Sequence, residues 1–600
     1  MSVSTSGHGV NSYKRRDMSI SLFGLPTMGG AKSFLSDYAV RSGLLDQLGW
    51  SSAARQISLD FKAFLDSGAL KAEPSPRYGV VFVNNDSRLI DEYRVCLTPS
   101  LMRHQANRSN GVIPNDVVRE MVMMSNIKWE INPTMFDIVL KQPEHIQETV
   151  VLKNPIFIGC AQVSMSHGGH YIPVYTDKVL RTYGEGGLSY TSDKMVRNCQ
   201  DISEKVTYMK DDLFQFCPML GLSPDMSAEL LSRSSEILAS QGQEGFALLR
   251  HAVWVQEVLR GVPSGAMVSC DIRTSGPLLG AILAACLDLM LDTNIYGHDE
   301  RDCRDVVSGR VRVPTALLPW RDEVIRLAKK PLITQLFYGQ AASGGAVGLF
   351  WKDEKNTPRG WISFLGIVNE DVCKKERKDW NPAFAHIIDA LGPKNALKAF
   401  KALSESFNST FWSSYPEVLQ LRQRLEAAHD AFLDRQGKKP TFTAPNGAQY
   451  THSKWELKTG GTPYRFRYDG PGAEKPLDIS LMEMQDTASG FSLFVRIVHF
   501  MDAWFRNRVS LKIIASQKRR YGKYIGHGAV HDNWIVPIKD ISVMHGIVRS
   551  VLHEAVNLLP DWINKFLVEN GQEPMRQLSE RDLKKIHKSI SKNRAFLSIN

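Results

Sequence analysis

The sequence predicts an α+β protein that is mostly helical, and three observations support this fold class. Apolar residues recur at helical spacing, most clearly over 415–433, where the predicted core stripe is Val418, Leu421, Leu425, Ala428 and Phe432. Residues 436–472 are instead rich in Gly, Pro, Thr, Tyr and Arg, which is typical of strands and hairpins. A short apolar run at 266–269 leads into an aspartate, a turn and an apolar helix over 278–291. Further helices are expected in 117–140, 209–259, 321–338, 376–435 and 479–510.

The composition favours a globular protein with a polyanionic partner. Lys and Arg number 73 against 63 Asp and Glu, and the net charge of +10 suits nucleic acid or an anionic membrane surface. The eight cysteines are scattered and include no CxxC pair. This spacing argues against a disulfide framework and against a zinc cluster.

No segment is expected to cross a membrane. The best candidate, 277–291, is too short and is interrupted by Asp288. The Ser- and Gly-rich beginning lacks the apolar stretch of a secretory signal. We therefore expect no membrane partner, and a location in the cytoplasm of an infected host cell, in a virion or in an organelle matrix.

Two aspartates stand out because each follows an apolar, strand-like stretch. Asp271 and Asp532 would be costly there unless a cation neutralised them. Two carboxylates far apart in sequence are what a two-magnesium phosphoryl-transfer site requires. The alternative is two strand-end aspartates that cap neighbouring helices, and for either aspartate by itself this alternative is favoured.

A basic segment supplies a second candidate element. At about 100° per residue, Arg326, Lys330 and Tyr338 fall within one third of a helix face. Two such cations could hold a triphosphate, and the Tyr338–Gly339 ending lets a ring and bare backbone approach a base or sugar. The alternative is a solvated basic helix with a core tyrosine, and Pro331 must begin or kink a helix there.

A third candidate element alternates aromatic and basic residues within a predicted hairpin over 454–468. Arg465 and Arg467 lie among Tyr464, Phe466 and Tyr468. This mixture suits base stacking and phosphate contact. A strand that covers a core with one face would show the same alternation.

Together these segments resemble motifs A, B and C of the single-subunit RNA polymerases of bacteriophages and mitochondria. Motif A is matched by Asp271 with Ser275–Gly276, motif B by Arg326, Lys330 and Tyr338–Gly339, and motif C by His531–Asp532–Asn533. Four more segments resemble family signatures in the same order: 126–132, 173–183, 444–468 and 497–503. The resemblance spans roughly residues 117 to 600.

The resemblance implies a right-hand polymerase fold with palm, fingers and a reduced thumb, after a short N-terminal domain. The expected parts are a disordered tail (1–17), a reduced N-terminal domain (18–128), a reduced thumb or connector (129–160), a palm segment with motif A (161–300), fingers with motif B and a hairpin at 441–470 (301–490), and a palm segment with motif C and the C-terminal helices (491–600).

The resemblance also implies a function: template-directed addition of ribonucleotides to an RNA 3′ end, with DNA template, RNA product and ribonucleoside triphosphates as partners. By resemblance, Asp271 and Asp532 hold two Mg²⁺ ions and the backbone carbonyl of Ile272 adds a ligand. The implied substrate-binding residues are Arg326, Lys330, Tyr338, Gly339, His499 and Arg181, and His531 is expected at the primer end. A DNA polymerase or primase-like enzyme, and an inactive nucleic-acid-binding relative, are the alternatives.

The sequence departs from the family pattern at several positions. Val179–Leu180 replace an Arg-Gly pair, so only Arg181 is carried over there. The stretch 132–177 is short for a thumb, and the segment before Trp129 is short for a promoter-binding domain. We therefore expect a partner protein that opens the strands or confers promoter specificity.

Overall fold

A computed structural model describes the fold over most of the chain. The described residues are 28–30, 59, 62–63, 65–66, 70–75, 79–84, 113–151, 157–172, 174–176, 179–184, 188–191, 193–297, 312–325, 385–436, 440–452, 454–457, 464–466, 477–479, 482–485, 493–594 and 596–599. The predicted tail at 1–17 and the motif B segment therefore lie outside the described residues.

Helices make up most of the described structure. In chain order the α-helices are α1 (Asn115–Ser125), α2 (Pro133–Leu140), α3 (Glu144–Ile146), α4 (Phe157–Ser166), α5 (Lys194–Asn198), α6 (Lys210–Phe216), α7 (Ser227–Ser232), α8 (Ser234–Gln241), α9 (Gly245–Leu259), α10 (Ser275–Ala284), α11 (Leu287–Asp292), α12 (Ala385–Leu391), α13 (Pro393–Ser414), α14 (Pro416–Gln436), α15 (Leu493–Tyr521), α16 (Ile541–Glu569) and α17 (Glu580–Lys592). A π-helical turn (Gln147–Val151) and 3₁₀ turns (Pro218–Leu220, Pro224–Met226, Gly242–Glu244, Thr315–Trp320, Ile538–Asp540) complete the set.

The strands are short and pair antiparallel. They are β1 (Met28–Gly30), β2 (Leu70–Ser75), β3 (Gly79–Asn84), β4 (Lys128–Ile131), β5 (His170–Tyr171), β6 (Val174–Thr176), β7 (Thr182–Gly184), β8 (Gln200–Ile202), β9 (Met267–Ile272), β10 (Thr441–Thr443), β11 (Gln449–Thr451), β12 (Lys454–Leu457), β13 (Tyr464–Phe466), β14 (Leu477–Ile479), β15 (Met482–Gln485), β16 (Gly528–Val530), β17 (Asn533–Pro537) and β18 (Leu597–Ile599). Small sheets have the orders β1-β3-β2 and β5-β4-β8, and β6-β7, β10-β11, β12-β15 and β13-β14 are pairs.

A four-stranded sheet in the order β16-β17-β9-β18 occupies the centre of the main core. Side chains alternate across β9: Val268, Cys270 and Ile272 are buried, whereas Ser269 and Asp271 are half-buried. One face of the sheet therefore belongs to the apolar core, and the other is partly open. The helices α10, α14, α15 and α16 pack together beside this sheet.

Two helices predicted as continuous are interrupted. The predicted helix over 117–140 is α1, β4 and α2, because Asn132 caps α2 by accepting a hydrogen bond from the Met135 N–H and Pro133 starts that helix. The predicted apolar helix over 278–291 is α10 and α11, which are separated where Ala285 adopts a left-handed φ of 50°. The mostly helical α+β class is nevertheless as predicted, and none of the described helices is long and apolar enough to cross a membrane.

A buried ion pair joins the beginning of the described core to its longest helices. The Arg506 guanidinium of α15 donates to both carboxylate oxygens of Glu120 in α1, at 2.6 and 2.9 Å, and Asn507 donates to the same carboxylate at 2.6 Å. Arg506 is 1% exposed and Glu120 is fully buried. A bidentate pair of this kind fixes the relative orientation of two helices, because removal of one partner would leave a buried charge uncompensated.

A second buried network fixes β4 against α9. The Arg250 guanidinium donates to Asp201 at 3.0 and 2.5 Å, and the Asn132 amide donates to Asp201 at 2.9 Å and to Glu257 at 3.1 Å. Burial acts to raise the pKa of Asp201, but Arg250, Lys205 and the Asn132 hydrogen bond lower it below its usual value. The segment that ends at Asn132 is thus held by charge as well as by apolar packing.

A buried histidine in β5 gives this fold a pH dependence. The His170 ring accepts from the Ser164 hydroxyl at 2.7 Å and donates to Gln200 Oε1 at 3.0 Å, an arrangement that fits a neutral imidazole. The Gln200 amide is itself fixed, because it donates to the carbonyls of Leu188 and Val196. Burial lowers the pKa of His170 to about 4.

We predict that this histidine destabilises the fold in acid. Its folded-state pKa is depressed, so the stability is fully present above the unfolded value of about 6.5 and is lost as pH falls toward 4. At pH 5 the expected loss is about 2 kcal/mol, since one pKa unit corresponds to about 1.4 kcal/mol. Denaturant unfolding of wild type and His170→Gln at pH 7.5 and 5 should give a smaller loss in the variant. His145→Gln, at an exposed position, is the control, and an unchanged pH dependence in His170→Gln would contradict the prediction.

Candidate active site

The pairing of β9 with β17 brings the two sequence-predicted aspartates together. Asp271 pairs with Asn533, and Asp532 is the residue directly before Asn533. The Ile272 N–H donates to the Asp532 carbonyl at 3.1 Å, which extends the pairing to the end of β9. Asp271 and Asp532 therefore lie at one end of the central sheet, and both are half-buried.

The turn that carries Asp532 is held in an unusual backbone conformation. β16 and β17 are joined by the two-residue turn His531–Asp532, with Val530 opposite Asn533. His531 has a φ of 55°, in the left-handed region, which costs a non-glycine residue about 1 kcal/mol. Two more residues near the site in sequence share this conformation. They are Thr274 (φ 58°), three residues after Asp271, and Leu180 (φ 65°), directly before Arg181. Strained backbone of this kind is concentrated at functional sites, where the surrounding structure maintains it.

A small cluster of aromatic and basic side chains borders the turn. Arg181 Nη1 lies 3.5 Å from His531 Nδ1, at the outer limit of a hydrogen bond. The Tyr183 ring meets the His531 ring edge-on at 5.3 Å, and the Arg181 guanidinium carbon lies 5.8 Å from the centre of the Tyr183 ring. The hairpin of β6 and β7 thus places the one arginine carried over from the family signature beside the motif C turn.

The Asp532 carboxylate is placed where its negative charge is unfavourable. Burial raises the pKa of Asp532, and a hydrogen bond from Ser275 and the charge of Arg181 act in the opposite direction. Ser275 is the first residue of α10, directly after the motif A strand and turn. A bound cation would relieve the remaining cost of this ionised carboxylate.

His499 lies in α15 and is electrostatically linked to the same cluster. Burial, together with the charges of Arg181, Arg496 and His531, lowers the pKa of His499 to about 3. The ring is consequently neutral near pH 7. A neutral imidazole can donate one hydrogen bond and accept another, which is the behaviour needed for a contact with a sugar hydroxyl.

Arg197 is a site residue that the sequence did not single out. Its Nη1 donates to the Ser269 hydroxyl at 3.4 Å and its Nε donates to the Tyr190 carbonyl at 3.1 Å. Ser269 shares the partly open face of β9 with Asp271. Burial lowers the pKa of Arg197, and the charge of Asp271 opposes that effect. No motif marks this arginine, because its place depends on the short helix α5, which Asp193 caps, and on the packing of that helix against α9 and β8.

Several predicted site residues cannot be placed relative to this cluster. Arg326, Lys330, Tyr338, Gly339 and Arg467 lie outside the described residues. Arg465 belongs to β13, where its backbone pairs with Asp478 of β14. Their substrate and nucleic-acid roles therefore remain predictions from the sequence.

The predicted hairpin over 454–468 is wrong in its pairing. β12 pairs with β15 and β13 pairs with β14, so the strands form a longer hairpin-like arrangement over 454–485. The Gly460–Gly461 pair falls between β12 and β13, which have separate partners, and β13 pairs antiparallel with β14. The other predicted turn, at Asn446–Gly447, does join β10 to β11, with Gly447 at a φ of 83°.

The oxygen ligands at the site fit magnesium better than a softer metal. Asp271 and Asp532 supply carboxylates, which a small hard cation prefers. Within the described part of the chain, no group of three or more His, Cys, Asp or Glu side chains could hold a metal ion. A metal ion held by this pair of carboxylates would need backbone, water or substrate oxygens as further ligands.

Comparison with known proteins adds no family assignment. No protein-family model matches the chain, and no curated protein matches it either. The function of this chain is consequently inferred from the sequence motifs and from the arrangement of the residues described above.

The left-handed φ of His531 predicts that glycine stabilises the protein more than alanine at this position, which is the reverse of the usual order. His531→Gly and His531→Ala both remove the ring, but only glycine relieves the positive φ. We expect the glycine variant to have the larger free energy of unfolding, by about 1 kcal/mol, in chemical denaturation. At Val530, in the adjacent strand β16, the same two substitutions should give the ordinary order with alanine more stable. A less stable His531→Gly variant would show that the turn is not strained.

Proposed function

We propose that this chain is a DNA-directed RNA polymerase of the single-subunit type, which adds ribonucleotides to an RNA 3′ end on a DNA template. One observation carries the proposal: Asp271 and Asp532, chosen from separate sequence motifs, meet at the end of paired strands. His531 belongs to the same motif as Asp532, and Arg181 and His499, from two further segments, interact electrostatically with it. A chance resemblance in short motifs gives no reason for these segments to converge.

The site residues support nucleotidyl transfer in distinct ways. Asp271 and Asp532 would hold two Mg²⁺ ions, with the Ile272 carbonyl as a further ligand, and bound magnesium would stabilise charge on the attacking 3′-oxygen and on the departing pyrophosphate. His531 and Arg181 lie where a primer end or a phosphate would meet the aspartates. Arg326 and Lys330 are proposed to hold the triphosphate, and Tyr338 with Gly339 to approach the sugar and base.

The proposed partners follow from this chemistry. They are the DNA template, the RNA product, ribonucleoside triphosphates and a protein that opens the strands or confers promoter specificity. A cytoplasmic location in an infected host cell, a virion or an organelle matrix is part of the same proposal. The reduced thumb and the palm and fingers boundaries also belong to it.

The first test is the removal of each carboxylate without a change in side-chain size. Asp271→Asn and Asp532→Asn should each lower primer extension on single-stranded DNA by on the order of a thousandfold, because the lost charge acts on the transition state. Binding to the same primer–template should change little, since backbone contacts dominate affinity. Extension is measured in a gel with each nucleotide set, and Asp225→Asn, at an exposed carboxylate, is the control.

Two outcomes would contradict this assignment. Near wild-type extension by either site variant would exclude that aspartate from the reaction. If wild type binds the primer–template but extends it with no nucleotide, the chain is instead an inactive nucleic-acid-binding relative.

The second test concerns the choice of sugar. Tyr338→Phe should let deoxyribonucleotides in, because a polar site that contacts the 2′-hydroxyl rejects a substrate that lacks it. The measurement is the ratio of kcat/KM for ribonucleotides to that for deoxyribonucleotides, which should fall in the variant. Tyr171→Phe, in β5, is the control. If wild type already uses both nucleotide sets equally well, the DNA polymerase or primase-like alternative is preferred.

A further inference from the structure

The last helix of the chain has one strongly basic face. Relative to Arg581, and at 100° per residue, Lys584, Lys585, Lys588 and Lys592 lie at about −60°, +40°, −20° and +20°. All five cations therefore share an arc of about 100°, and the first four line one surface groove together with Glu580. The opposite side of α17 carries Ile586 and Ile590, which are fully buried in the main core.

Lys585 lies 5.9 Å from the centre of the Tyr296 ring, but three other lysines of this face form no ion pair within the described fold. Within the described part of the chain, no carboxylate lies within ion-pair distance of Lys584, Lys588 or Lys592. The acidic residue buried in this helix, Asp582, is bonded instead to Ser579 and Arg576. A row of like charges on one helix face is unfavourable unless an anion compensates it.

The basic face leads directly to the candidate active site. After Lys592 the chain passes through Arg594 and enters β18, whose Ser598 pairs with Asp271. Ser598 is six positions after Lys592, a span of at most about 20 Å. Arg273, which is exposed, is tied to the same connection because its N–H donates to the Phe596 carbonyl at 2.9 Å. Arg594 and Arg273 thus add positive charge to the segments that connect α17 with the strand of Asp271.

We propose that this face of α17 binds the phosphate backbone of a nucleic-acid strand that enters or leaves the site at Asp271 and Asp532. From Arg581 to Lys592 the helix rises about 16 Å, the length of roughly five nucleotides in one strand of a duplex. The identification of that strand rests on the proposed polymerase function, but the binding itself does not. An interfacial membrane helix would need its apolar face outward, and here that face is packed in the core.

The test uses the full chain with three lysines neutralised, Lys584→Gln/Lys588→Gln/Lys592→Gln. The control is Lys141→Gln/Lys210→Gln/Lys565→Gln, which removes the same charge from exposed positions directly after α2, in α6 and in α16. Binding to labelled single-stranded DNA, single-stranded RNA and a DNA–RNA hybrid is followed by fluorescence anisotropy over a range of salt concentrations. Circular dichroism establishes that both variants remain folded.

We expect the α17 variant to bind at least one probe about tenfold or more weakly at about 0.1 M salt. The slope of log affinity against log salt should fall by about 2, since each lost phosphate contact on a single strand contributes about 0.7. The probe with the larger loss distinguishes template from product. The control triple should remain within about threefold of wild type, because scattered charges contribute only general attraction.

Three outcomes would overturn the proposal. The first is wild-type affinity of the α17 variant for all three nucleic-acid probes. The second is an equal loss of affinity in both triple variants. The third is a loss of affinity by the α17 variant only for vesicles that contain phosphatidylserine. The polymerase proposal is tested separately by Asp271→Asn, which should bind all three probes as wild type does. If wild type fails to extend primers while the α17 variant still loses affinity for nucleic acid, the polymerase proposal is wrong but the proposed binding by α17 is supported.

Discussion

The antiparallel pairing of β9 with β17 is the constraint on which the candidate site depends. Cys270 pairs with Trp534, and both side chains are fully buried, whereas Asp271 pairs with Asn533 on the partly open face. A slip of one residue would move the aspartate into the core and expose the apolar neighbours. The alternation of side chains along β9 that fills the core therefore also places the Asp271 carboxylate on the partly open face. Pairing with β18, on the other side of β9, fixes the same register.

Buried charges extend this constraint to the surrounding segments. The Glu120–Arg506 pair joins α1 to α15 within two turns of His499. Such pairs add little net stability, because desolvation offsets much of their attraction, but a bidentate geometry permits few alternative arrangements. The position of His499 beside Arg181 and His531 is thus set by a contact on another part of the same helix.

Local pattern predicted much of this structure, and long-range packing decided the rest. Strand-like runs that end near Asp271 and Asp532 are evident in the sequence, and the structure has both runs, β9 and β16, in one sheet on either side of β17. Arg197 was missed because its place by Ser269 depends on tertiary packing and not on any local spacing. The hairpin over 454–468 was wrong for a similar reason, since Gly460–Gly461 marks a turn-forming sequence without showing which strands it joins. The substrate-binding role of Lys330 and the rest of its motif is predicted from the resemblance alone.

The site lowers the stability of the fold, which indicates that its residues have a functional role. Burial disfavours the ionised form of Asp532, and His531 and Thr274 each hold a left-handed backbone that costs about 1 kcal/mol. A core that needed only stability would place glycine in these turns and an uncharged residue after them. Ser275 and Arg181 offset the charge only in part. A divalent cation bound by Asp271 and Asp532 would compensate for the cost that remains, so the proposed chemistry gives a reason for features that are unfavourable for folding.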